Sequence, residues 1–425
     1  MQPLNQLSAS EAARRLVTRE LTAEQMARAC LERIDEREGA VGAWIHLDPE
    51  AVLAAARQLD AGPVRGPLHG LPLGVKDLID TADMPTAYGS PIYAGHRPRV
   101  DAACVALARA AGALVLGKTV TTEFAWFHPG KTANPRNIAH TPGGSSSGSA
   151  AAVADCMVPL AFGTQTAGSI IRPASYCGIV GYKPTHGTLP RAGIKPLADS
   201  LDTLGTMSRT VADAALFVSA LSGRDLLLKP LAVPPRVGMC RTPVWSAAQP
   251  ETVAAMEGCA ATLARAGAKL SEIVLPREFD GVNQAQIDIM NCESYAALAC
   301  ERLQHYDGLS DKLKQLLENA AKCDAARYDA AQALVASCRS RLDEIFSGLD
   351  VLIAPSAPGE APAGLAATGD PIFCRMWTVL HVPAINLPCG PGPNGLPLGL
   401  QVIGRRGEDA RALAVADWIH QHLAA

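Results

Sequence analysis

A chain of 425 residues, 48% hydrophobic and 19% charged, carries enough apolar material for a large core, and its length permits one large domain or two to three ordinary ones. The formal net charge of −3, with no basic run, leaves no electrostatic footprint for nucleic acid or an anionic membrane, so a small neutral or anionic substrate is expected. No uninterrupted apolar stretch reaches the ~18 residues of a membrane span, and residues 1–7 lack a basic flank followed by an apolar run, so a soluble, cytoplasmic protein is expected. The 12 cysteines include no C-x-x-C pair and many fall inside apolar helical patterns, which reads as reduced, buried thiols and not as a disulfide or zinc framework.

In chain order, Ser8 with Glu11 and Thr22 with Gln25 each fit a capping box, in which the first side chain accepts an orphan N–H and the fourth reaches back. Met26, Ala29, Cys30, Arg33 and Ile34 then mark one face of a packing helix. The prolines and glycines of residues 67–74 predict a loop running into a short strand that ends on Lys76. A lysine at the end of an apolar strand is a candidate base, because burial disfavours the ammonium. On the residues alone, a salt bridge to the adjacent Asp77 is the more ordinary reading.

Asp101 is placed to cap an apolar helix ending near Gly112, and residues 113–117 follow as a strand. The same stretch is a formal phosphate-loop match, Gly112 through Gly117, Lys118 and Thr119, but its four intervening residues are apolar and strand-like where a phosphate cradle needs an open loop. Nucleotide binding is therefore not expected.

The segment 143–178 holds two serine-bearing glycine loops, Gly143-Gly144-Ser145-Ser146-Ser147-Gly148-Ser149 and Gly163-Thr164-Gln165-Thr166-Ala167-Gly168-Ser169, around a largely apolar run from Ala150 to Phe162. Glycines leave backbone N–H groups uncovered, so such loops bring main-chain donors to a substrate oxygen, and a serine among them is a candidate nucleophile. Gly144-Ser145-Ser146-Ser147-Gly148 matches the G-x-S-x-G nucleophile elbow, but residues 134–142 form a proline- and asparagine-rich loop and not the strand that motif requires.

Beyond the loops, helix and strand alternate: residues 209–222 read as helix, 236–239 as the start of a strand, 251–266 as an amphipathic helix closed by Gly267, and 271–275 as a strand. Residues 283–347 are mostly helical and are read as a cap beside the site, and short strands at 351–355, 384–388 and 398–404 close the chain. No repeat or linker divides the sequence, so one domain over 1–425 is expected, of α/β class with helices covering a central sheet. His128, His140 and His186 lie near the serine loops, yet a loop histidine is more often structural, and no Ser-His-Asp triad is proposed. His420 and His422 lack the spacing of two ligands on one helical face, and neither metal nor cofactor is expected.

Taken together these segments resemble the amidase signature family. Its core pairs a G-G-S-S-G-G-S-type loop with a G-T-D-x-G-G-S-type loop, and Ser145 and Ser169 stand the 24 positions apart that the pattern asks for. The family's upstream lysine motif matches Gly74-Val75-Lys76-Asp77, and the resemblance runs on through residues 182–187, 200–210 and 350–355. It implies a mixed central sheet with helices on both faces, and a Ser-cisSer-Lys triad: Ser169 as nucleophile, Ser145 as proton relay, Lys76 as neutral base. The bond preceding Ser145 is the one expected to be cis. Thr166, Ala167, Gly168 and Ser169 are then the candidate oxyanion donors. Ser147, Gln165 and Ala167 depart from the family pattern, and alanine at 167 would be strained if that position required φ > 0.

Residues 163–178 resemble malonamidase in particular. From spacing alone, Arg172 equally faces the acyl pocket or pairs with a structural carboxylate; the resemblance favours a substrate-binding arginine and a small, carboxylate-bearing amide. The same resemblance admits an amidotransferase A-type subunit that passes ammonia to a partner, or a non-catalytic binding protein on the same fold. It also leaves room for a homodimer.

Overall fold

The structure is a computed structural model, and residues 2–423 are described. Eleven strands form one sheet: β1 (Trp44–Leu47), β2 (Pro72–Lys76), β3 (Leu114–Thr119), β4 (Leu160–Gln165), β5 (Val180–Lys183), β6 (Thr203–Ser208), β7 (Arg236–Arg241), β8 (Lys269–Val274), β9 (Val351–Pro355), β10 (Ala384–Pro391) and β11 (Pro397–Ile403). Their order is β1-β3-β2-β4-β6-β5-β10-β11-β9-β7-β8. The sheet is mixed: β2 runs parallel to β3 and β4, and β7 to β8 and β9, while every pairing from β4 to β9 along that order is antiparallel.

Around it lie α1 (Ala9–Val17), α2 (Ala23–Val41), α3 (Pro49–Ala61), α4 (Ala103–Ala110), α5 (Ser147–Ala154), α6 (Ile171–Cys177), α7 (Val211–Ser222) and α8 (Pro250–Arg265). The remainder are α9 (Val282–Ala297), α10 (Ala299–Gln304), α11 (Asp311–Ala320), α12 (Ala325–Ile345), α13 (Ile372–Val379) and α14 (Asp409–Leu423). Successive strand side chains point to opposite faces, and β9 shows what each face meets. Val351 and Ile353 join a core with residues of α1, α2, α5, α7, α8 and α14, whereas Leu352 and Ala354 join another with residues of α9, α12 and α13. The sheet thus lies between two helical layers.

Local signals explain most boundaries. Thr22 and Gln25 form the full capping box of α2. Ser8 accepts from the Glu11 N–H at 3.2 Å, but Glu11 does not reach back, because its carboxylate is taken by Arg14 and Arg15 at 3.0 and 2.6 Å. Asp101 is not the cap of α4: the cap is Ala102, and Asp101 accepts from the Ala82 N–H at 2.8 Å and pairs with Arg109 at 3.1 Å. The expected strand from residue 113 is β3, and Lys118 on it is buried with its Nζ 2.8 Å from the Ile79 carbonyl and 3.2 Å from Asp77. Asp77 therefore pairs with Lys118, which leaves Lys76 free of it.

The cysteine reading needs one correction. Cys292 on α9 and Cys323 just before α12 form a disulfide, their Cα atoms 5.6 Å apart. The 31-residue separation carries no local motif, and only the packing of α12 on α9 brings the pair together. No helix among the described residues is long and apolar enough to cross a membrane.

Candidate active site

Lys76 is the last residue of β2, and Thr164 and Gln165 end the parallel neighbour β4, so the carboxyl ends of both strands open on the same crevice. The Lys76 Nζ is fully buried and donates to the Ser145 and Thr164 hydroxyls, each at 2.7 Å. Burial lowers its pKa to about 7, and the negative charge of Asp202 opposes that shift. Near neutral pH, Lys76 is therefore balanced between ammonium and free amine.

Ser145 reaches the lysine from the first glycine loop, through a cis Gly144–Ser145 bond, the one expected. The loop then becomes α5, packed so closely that a Cβ on Gly148 would lie 2.2 Å from the Ala43 carbonyl. The Ser146 hydroxyl accepts from the Thr164 N–H at 3.3 Å and ties this loop to β4.

Ser169 ends the second loop, largely buried at 7% exposure, and among the described residues no protein group hydrogen-bonds its hydroxyl. The three preceding carbonyls are all taken. Thr166 O accepts from Gln286 Nε2 on α9 at 3.0 Å, Ala167 O from Thr378 Oγ1 on α13 at 2.6 Å, and Gly168 O from the Arg172 N–H at 2.9 Å. In a trans peptide the carbonyl and the following N–H point opposite ways. Each of the Ala167, Gly168 and Ser169 N–H groups therefore points away from the partner of the carbonyl before it, and none has a protein acceptor among the described residues.

Two departures from the family pattern have a physical account. Ala167 does not take a positive φ, so its Cβ costs no backbone strain. Gln165 uses both ends of its amide: Oε1 accepts from the Ile170 and Ile171 N–H groups at 2.8 and 3.0 Å, at the start of α6, and Nε2 donates to Thr378 Oγ1 at 2.8 Å. It serves as the missing cap of α6 and fastens the loop to α13.

Arg172 lies on α6 as the spacing predicts, and it is buried. Its Nη1 donates to Gly369 O at 2.8 Å, and Nη2 to Gly144 O at 2.6 Å and Thr368 Oγ1 at 3.2 Å. The guanidinium thus holds the carbonyl immediately before Ser145 and pairs with no carboxylate among the described residues. His140 bonds the Ala361 carbonyl and His186 stacks on His381 at 4.1 Å, so both are occupied away from the serines.

Sequence reasoning missed Thr164, Asp202, Gln286 and Thr378. Asp202 accepts from Thr166 Oγ1 at 2.5 Å and from the Leu197 and Ala198 N–H groups at 2.8 and 3.1 Å, and burial raises its pKa. Gln286 and Thr378 are 120 and 211 positions from the carbonyls they hold, a separation no local pattern signals.

The profile of the Amidase family matches residues 25–413, and the chain belongs to the amidase signature family, whose enzymes hydrolyse amides in the broad sense. It is 35% identical to the A subunit of the glutamyl-tRNA(Gln) amidotransferase of Chloroflexus aggregans, across 98% of this chain and 96% of that protein. Among solved structures it resembles the peptide amidase of Stenotrophomonas maltophilia, with 30% identity, a TM-score of 0.86 and coverage of 100% and 98% of the two chains. The corresponding glutamyl-tRNA(Gln) amidotransferase protein of Thermotoga maritima aligns with a TM-score of 0.80 at 28% identity, covering 97% of this chain and 94% of that one.

Proposed function

We propose that the protein hydrolyses a small amide through an acyl-enzyme on Ser169. Neutral Lys76 takes the proton of Ser145, Ser145 takes that of Ser169, and the Ser169 oxygen attacks the amide carbonyl. The N–H groups of Ala167, Gly168 and Ser169, with Thr166 beside them, stabilise the oxyanion. The proton returns along the same relay to the nitrogen as the C–N bond breaks, ammonia or an amine leaves, and water releases the acid. The observation that carries this reading is the buried 2.7 Å contact between Lys76 and Ser145. A lysine held where its neutral form is accessible is suited to a base, and its contact with a serine of the glycine loop favours a catalytic role over a non-catalytic protein on this fold.

The names of the sequence relatives favour a second reading, an amidotransferase A-type subunit that delivers ammonia to a partner enzyme. For the free-standing hydrolase speaks the fold shared with the peptide amidase over 100% of this chain at 30% identity. Purifying the chain alone and measuring ammonia release from small amides separates them. Steady turnover without a partner is expected; turnover appearing only once a partner protein is added would support the second reading. The substrate is proposed to carry its own carboxylate, though the Arg172 guanidinium expected to receive it is committed to Gly369, Gly144 and Thr368, and the protein is proposed to be soluble, cytoplasmic and of one domain.

A further inference from the structure

Besides Arg172, a second guanidinium stands beside the oxyanion loop. Arg375 lies on α13, whose first turn packs so tightly on this loop that a Cβ on Gly168 would sit 2.7 Å from Pro371 Cβ and 3.0 Å from Cys374 Cβ. Its Nη1 donates to Gln286 Oε1 at 2.7 Å, and the same amide's Nε2 holds the Thr166 carbonyl at 3.0 Å. Only one side-chain amide therefore separates Arg375 from the loop that would cradle the scissile carbonyl.

The two arginines differ in what remains open. Arg172 has both Nη groups committed to three protein oxygens, and its Nε is sealed from solvent. Arg375 is half-buried and makes a single hydrogen bond, to the neutral Gln286. No carboxylate is ion-paired with it among the described residues, and the charges near it are Asp370, exposed, and Arg172 itself. A guanidinium held mostly out of water without an anion is costly unless an anion arrives, and its planar fork matches a carboxylate with two parallel N–H donors.

We infer that Arg375 is the specificity-determining residue that receives the carboxylate of a half-amide substrate, with the amide end placed on the Thr166–Ser169 loop. This rests on the amide-hydrolase reading and names its substrate class. Gln286 then has two functions: it orients the guanidinium and couples its position to the loop. Arg375→Lys would keep the charge and lose the fork.

The test compares malonamate and succinamate with propionamide and butyramide, their uncharged counterparts of equal length, in ammonia-release assays. For Arg375→Ala, the ratio of kcat/KM for half-amide over neutral amide is expected to fall about tenfold or more, mainly through KM, with partial recovery in Arg375→Lys. Arg172→Ala, which loosens the Gly144 carbonyl, is expected to depress both substrate types by similar factors. An unchanged ratio in Arg375→Ala, or a ratio that falls in Arg172→Ala alone, overturns the inference. Titration calorimetry of succinate into the unmodified protein and into Arg375→Ala keeps the question separate from turnover. Binding lost in the variant supports the inference even where no amide is hydrolysed, and failure of the unmodified protein to bind succinate or either half-amide refutes it.

Discussion

Lys76 concentrates the chemistry at the scale of single residues. Its pKa of about 7 is a compromise between burial, which expels the proton, and Asp202, whose charge retains it. In the proposed mechanism the neutral amine is the base, so activity should fall about tenfold per pH unit below that pKa and level off above it. A pH–rate profile checks this, and a flat profile from pH ~5 to ~9 would remove Lys76 from the mechanism. Asp202→Asn takes away the retaining charge, so the acid limb should move to lower pH. A limb that moved upward would reverse the electrostatic argument. Ser169→Ala should remove orders of magnitude in turnover with the fold intact, and near-normal rates in a folded variant would displace Ser169 as nucleophile. Lys76, Ser145 and Ser169 were legible as candidates because motif and spacing carry them, and the structure brings the first two into contact. Thr164 and Asp202 were not, since nothing in a threonine of a glycine loop, or an aspartate 126 positions from Lys76, announces that both stand around one ammonium.

Among the elements, the decisive one is the strap from β4 to α6, because two of its carbonyls are held only by distant helices, α9 and α13. Gln165, Gln286, Thr378 and Arg172 fix its amides, and α13 leaves no room beneath Gly168. Gly168→Ala should therefore push the strap off α13, costing about 1–3 kcal/mol of stability by overpacking and a larger share of activity, because the proposed oxyanion donors move with it. Ala167→Gly should retain most activity, since position 167 needs no positive φ. Parallel melting and turnover measurements decide; a Gly168→Ala protein of normal activity would show that the strap tolerates displacement. Helices were legible wherever apolar periodicity met a cap, as at Thr22. The reading failed at Asp101 because a carboxylate in a loop has many N–H groups to choose from, and the tertiary contact with Ala82 won over the local one.

For the whole molecule, the sequence shows alternation of helix and strand but not the strand order, because nothing local says that β10 lies beside β5 or that β9 returns to β7. The same blindness covers the disulfide. Cys292–Cys323 joins α9 to the start of α12, where Arg327 also pairs with Asp288 at 2.7 Å and Tyr328 bonds Glu293 at 2.9 Å. Glu293 in turn accepts from the Ser200 N–H at 2.9 Å, two residues before Asp202, and Gln286 on the same helix holds the oxyanion strap. The helix that shapes the site is thus moored at its far end by this cross-link. Closing a loop of 31 residues is worth about 3–4 kcal/mol on the chain-entropy account. Reduction, or Cys292→Ser, should lower stability toward denaturant by up to about that amount and depress turnover through α9, with the loss in kcat larger than the shift in KM. Thiol titration of the unfolded protein should find the 10 free cysteines before reduction and all 12 after it. Twelve thiols without reductant, together with a denaturation midpoint indifferent to reductant, would mean that α9 is held by its packing and ion pairs alone.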